Sequence, residues 1–89
     1  MADKITYYAI IDDETTIDRP AGLVRRLEFE DSGLADEILR RDFSWIFTPI
    51  IAEWQRASFD DELVEVSHAR AAEIIEYFRE AWASGGPPT

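Results

Sequence analysis

A chain of 89 residues with a formal net charge of −10 that is 46% hydrophobic and 12% aromatic has enough apolar side chain for one small core, and too much for a disordered acidic tail. The ten surplus negative charges repel a nucleic-acid backbone, the absence of Cys removes disulfides and thiolate chemistry, and one His cannot furnish the common zinc sites. No basic and apolar leader opens the chain and no stretch approaches the roughly 18 apolar residues that span a bilayer, so a cytoplasmic protein without membrane contact is expected.

Residues 5–12 are β-branched and aromatic and read as a strand, with Ile5, Tyr7, Ala9 and Ile11 on one face and Thr6, Tyr8 and Ile10 on the other. A polar stretch running to Pro20 and Gly22 has loop chemistry. Alternation resumes over 23–30, setting Leu23, Arg25, Leu27 and Phe29 against Val24, Arg26, Glu28 and Glu30. So short a connection makes the two strands antiparallel, because a parallel crossover needs a dozen or more residues.

Asp31 to Gly33 is a break. Residues 36–43 fit a helix that aligns Leu34, Ile38 and Trp45, or a strand; the strand gives the better exit before the next helix signal and is preferred. That signal is Thr48 before Pro49, an N-cap residue followed by one pre-organised for the first turn. Phe47, Ile50, Ile51 and Trp54 then recur at helical spacing as far as Ala57, and Phe47 with Ile51 has the spacing of a hydrophobic staple. Residues 62–66 form a short strand. Ser67 caps the last helix, whose Ala71, Ile74, Ile75, Phe78 and Trp82 form an apolar stripe. Residues 1–83 are thus one compact domain, and 84–89, with two Gly and two Pro, a flexible tail. The order β-β-β-α-β-α predicts an α+β fold: an antiparallel sheet of about four short strands with both helices on one face and the other face open.

No sequence motif supplies a catalytic constellation. The acidic runs Asp12, Asp13, Glu14 and Asp60, Asp61, Glu62 offer oxygen donors for a divalent cation but lack EF-hand spacing, and read first as solvated turns. His68, at a helix N-terminus without a second His or a nucleophile motif, reads as a first-turn surface residue. The four glycines have neither dinucleotide-binding nor phosphate-loop spacing. No cofactor, metal site or catalytic residue is assigned, and a non-enzymatic role is preferred.

The arginines carry more information. Arg25–Arg26 and Arg40–Arg41 hold four of the eight Arg, and a pair in a strand sends one guanidinium to each face. Cross-strand pairing with Glu28, Glu30 or Glu37 is the plainer expectation; Arg26 beside Tyr8 and Val24 is the kind of amphipathic surface enriched at interfaces. Phe43, Trp45, Ile46 and Phe47 either close one end of the core or form a patch that a partner covers.

Arg19 to Arg26, together with Leu63 to Ser67 leading into the last helix, resembles a group of small acidic bacterial proteins of uncharacterised function. The resemblance spans most of residues 5–83 and implies a compact stand-alone domain, without an activity or cofactor.

The expected function is therefore protein interaction or regulation through an open sheet face made of Tyr8, Ile10, Val24 and Arg26, with Arg40, Arg41 and Trp45 nearby. The partner is another protein or a second copy, and salt should tighten a homodimer by screening two chains of −10. The alternatives are a carboxylate- or metal-dependent hydrolase using Asp12, Asp13, Asp60 and Asp61, and an acidic mimic of nucleic-acid charge that inhibits a basic partner.

Overall fold

The computed structural model describes residues 3–58 and 60–83; the tail expected at 84–89 lies outside them. The fold is α+β: β1 (Lys4–Ile11), β2 (Gly22–Glu28), β3 (Leu34–Leu39), β4 (Trp45–Phe47), α1 (Ile50–Gln55), β5 (Glu62–Val66) and α2 (His68–Ala83). All neighbouring strands pair antiparallel in one sheet of order β4-β3-β2-β1-β5. The fifth strand is β4, in residues the sequence pattern assigned to the approach to a helix. No helix among the described residues is long and apolar enough to cross a membrane.

The two tight hairpins share one closure. In the first, Phe29 N–H donates to Gly33 O (2.9 Å) and Ser32 N–H to Phe29 O (3.0 Å); in the second, Arg40 N–H donates to Ser44 O (2.9 Å) and Phe43 N–H to Arg40 O (2.8 Å). The fourth residue of each turn is left-handed, Ser32 at φ 72° and Phe43 at φ 65°. Asp31 and Asp42 occupy matching positions and accept from the backbone N–H two residues on. A bulky residue in this region costs about 1–2 kcal/mol. Packing holds Phe43 there: its ring lies 5.2 Å from that of Trp82, with the Arg79 guanidinium 5.1 Å above it. With neither Gly nor Asn to announce this turn, the strand expected at 36–43 starts and stops earlier, at 34–39.

The helices lie on opposite faces, which corrects the expectation of a shared face. Tyr8, Val24, Ile38 and Ile46 are in register across the sheet, and this side packs with Ile10 and Leu63 against Ile51 and Trp54 of α1. Ala9, Leu23 and Leu39 share the other side and pack against Ala71, Ile74 and Phe78 of α2. The topology explains the arrangement. Strands β4 and β5 run in the same direction at opposite edges, so the chain must cross the whole sheet between them, and it does so beneath one face through α1. The remaining face is left for α2. Leu23, Ile51, Ile74 and Val24 are the largest fully buried side chains, two from each side.

The caps differ as well. Ser67 Oγ accepts from Arg70 N–H (3.0 Å) and Ser67 O from Ala71 N–H (2.8 Å), as expected of an N-cap. In α1 the cap position falls to Pro49, and Thr48 Oγ1 accepts from Ile50 N–H at 3.3 Å. The staple does not form: β4 sends Phe47 to the α2 side, 75% exposed, while Ile51 is buried on the α1 side. At the far end of α1, Ala57 N–H donates to Trp54 O and Ser58 N–H to Glu53 O with Ala57 at φ 60°, a Schellman closure without its usual Gly.

Candidate interaction surface

The expected site residues fall in three places. Tyr8, Ile10, Val24 and Arg26 lie on the face that α1 covers, so they are no open surface. Val24 is fully buried, Ile10 nearly so, and the Tyr8 ring packs 6.0 Å from Trp54. Burial, followed by the neighbouring Glu65 carboxylate, pushes the Tyr8 phenol above its ordinary pKa. Arg26 donates through Nε and Nη2 to Asp36 Oδ1 (2.7 Å) and Oδ2 (2.8 Å), and through Nη1 to Gln55 Oε1 (3.3 Å). The hydrogen bond to Asp36 raises the Arg26 pKa against the opposing effect of burial. This guanidinium ties α1 to the sheet.

Arg25, on the α2 side, pairs with Glu37 (Nη2 to Oε1, 2.7 Å) and lies over the Trp45 ring at 4.1 Å. The cross-strand pairing expected with Glu37 forms at Arg25, whereas Arg26 takes Asp36, an acid that the strand pattern does not single out. Arg40 and Arg41 occupy the β3–β4 turn, both exposed, with Arg41 5.6 Å above Trp82. Neither makes an ion pair with a carboxylate among the described residues.

The surface left open is different from the expected one. On the α2 side the helix spans the end of the sheet built on Ala9, Leu23 and Leu39. Beyond it, Ile5, Leu27 and Ala35 are in register, half-buried, and belong to neither buried cluster. In the adjoining register row, Arg25 and Glu37 connect Tyr7 to the exposed Phe47.

This surface ends at the free edge of β4. Hydrogen-bonded and non-hydrogen-bonded pairs alternate along an antiparallel ladder. Arg40 with Ser44 and Asp36 with Thr48 are hydrogen-bonded pairs, the latter through Thr48 N–H to Asp36 O at 3.0 Å. The backbone N–H and C=O of Ile46 therefore point to Ile38, and those of Trp45 and Phe47 point away from the sheet. The edge carries no charge and no Pro, and two of its three side chains, Ile46 (44%) and Phe47 (75%), are exposed. The dense apolar run 43–47 was the available signal. It divides, Phe43 and Trp45 packing inward while Ile46 and Phe47 face solvent.

The carboxylates of the hydrolase expectation do converge. Asp12 and Asp13, at the end of β1, line a shallow cleft of about 240 Å³ with Asp60, Asp61 and Glu62, at the start of β5. Among the described residues no three potential ligands are placed to hold one metal ion. His68 Nε2 donates to Ile5 O (2.7 Å) and its ring meets Tyr7 edge-on at 5.2 Å, fastening the start of α2 to β1.

Comparison with protein-family models, curated proteins and solved structures finds no match.

Proposed function

We propose that this chain is a protein-interaction module that binds an extended segment of a partner by strand addition along β4. The observation that carries this reading is the outward-facing backbone of Trp45 and Phe47 beside exposed Ile46 and Phe47. Edge strands in folded proteins are usually blunted by Lys, Pro, bulges or a covering loop. An uncharged edge with apolar side chains on both faces has the features of a strand acceptor: backbone groups provide affinity and alternating side chains provide selectivity. Phe47 and the Ile5–Leu27–Ala35 row extend the contact from the edge onto the sheet.

The test is selection of binders from a random peptide library on the immobilised chain, followed by amide hydrogen exchange of each complex. Strand addition predicts slowed exchange at Trp45 and Phe47 and loss of binding in Ile46→Lys, a substitution at an exposed position. If the library yields no binders, or binders leave those two amides unprotected, the reading fails.

A further inference from the structure

The β1–β2 loop and the β3–β4 turn stand apart at one end of the sheet and leave a cleft of about 690 Å³, within the usual range for small-molecule sites. Its apolar lining wraps the end of the sheet around the first residues of β2, with Ile10 and Ile38 reaching it from the α1 side and Leu39 from the α2 side. Gly22 is tight here, since a Cβ added to it would meet Ile10 Cδ1 at 3.0 Å.

The walls carry opposite charge. Arg40 and Arg41 line the side where β3 exits, with the Trp82 indole alongside; Asp12 and Glu14 line the side where β1 exits. The two sides are separated by β2, two strand spacings or about 10 Å between backbones. No ion pair joins them. Nineteen acidic residues serve nine basic ones in this chain, and Arg25, Arg26, Arg70 and Arg79 each have a carboxylate partner. Among the described residues Arg19, Arg40, Arg41 and Arg56 make no ion pair with a carboxylate, Arg40 acting only at longer range on the exposed Asp42, and of these four Arg40 and Arg41 are adjacent in sequence and share a cleft.

A simple anion fits this cleft poorly, because the chain's net charge and the Asp12 and Glu14 wall both repel it. A simple cation meets the same objection from the two guanidiniums. We infer that the cleft binds a small zwitterion of the amino-acid kind, its carboxylate on Arg40 and Arg41, its ammonium toward Asp12 and Glu14, and its apolar body against Ile10 and Ile38 beside Gly22. Guanidinium is suited to a carboxylate because its N–H groups match the two oxygens. Such a ligand has no net charge and enters an acidic protein without the penalty an anion meets. This inference is independent of strand addition at β4.

The experiment is a nitrogen-15 NMR titration of the full chain with three probes of one shape: L-phenylalanine, 3-phenylpropionate without the amine, and phenethylamine without the carboxylate. L-Phenylalanine is expected to give saturable shifts at Gly22, Arg40, Arg41 and the Trp82 indole, with each single-charge probe bound at least about tenfold more weakly. Arg40→Gln with Arg41→Gln should abolish binding of L-phenylalanine while keeping native peak dispersion, and Glu14→Gln should remove its advantage over 3-phenylpropionate. The inference is overturned by absence of saturable shifts, by 3-phenylpropionate binding as tightly as L-phenylalanine, or by the double Arg variant binding normally. If that variant loses its native dispersion, Glu14→Gln decides alone: a retained advantage over 3-phenylpropionate overturns the assignment.

Discussion

The α2 face is covered by a helix of 16 residues capped by Ser67, whereas the α1 face is covered by the six residues Ile50–Gln55, whose N-cap Pro49 offers no side-chain hydrogen bond and which are closed by a left-handed Ala57 just beyond their end. A six-residue segment does not hold helix by itself, since isolated helices shorter than about 12–15 residues are marginal in water. Tertiary contacts keep α1 in place: Ile51 is fully buried, Trp54 packs on Tyr8, and Gln55 accepts from Arg26. One face is closed by a helix legible in its own sequence; the other is closed by a segment made helical by the sheet it covers.

The comparison is tested most severely at the two central apolar side chains. Phe78→Ala is expected to cost about 4 kcal/mol and Ile51→Ala about 3 kcal/mol, measured by urea denaturation. The second should also free Trp54 and Gln55, shifting Trp fluorescence before the main transition; one coincident transition in Ile51→Ala would show that α1 is not the weaker cover.

Next comes the ion pair that fastens α1. The Arg26 and Asp36 side chains are only 15% and 12% exposed, so Asp36→Asn leaves a guanidinium largely buried without its charge partner and should lower stability by about 3 kcal/mol. Glu37→Gln, at a pair with 20% and 27% of the side chains exposed, should cost nearer 1 kcal/mol. Equal costs would mean that burial does not separate the two arginines.

Ala57→Gly should raise stability by about 1 kcal/mol, because Gly adopts the left-handed C′ conformation without a Cβ penalty. Ser67→Ala should lower it by a similar amount through loss of the N-cap. Opposite shifts in melting temperature would confirm that one helix is better terminated than the other.

The smallest effect is alkaline. A folded-state pKa raised above the ordinary 10.0 means that the neutral Tyr8 phenol is favoured in the fold. Its contribution is fully present below pH 10.0 and is lost as pH rises through the folded value. Tyr8→Phe should show a shallower loss of stability above that pH in melting scans. An unchanged slope would place the ionising Tyr outside the α1 face.

Much of the fold can be read directly. The β5 boundaries, the Ser67 cap and the Ala71–Ile74–Phe78 stripe are local patterns, and structure agrees with pattern there. Phe43 shows where local reading stops: a turn that depends on Phe in a left-handed conformation has no composition signal, because contacts with Trp82 and Arg79 stabilise it. The opposite placement of the helices did leave a trace. Tyr7, Ala9 and Ile11 lie on one side of β1 and Tyr8 and Ile10 on the other, so a strand apolar on both faces needs cover on both. The candidate surface was half legible in the run 43–47; its direction was not, because outward backbone groups depend on which neighbour pairs with β4.

By itself the sequence determined the α+β class, the antiparallel pairing of the first two strands and the long capped helix, since each depends on periodicity or chain length. Tertiary structure decided which face each helix covers, which acids Arg25 and Arg26 meet and which strands form the edges. Those outcomes depend on strand order, and strand order is set by contacts between residues far apart in the chain.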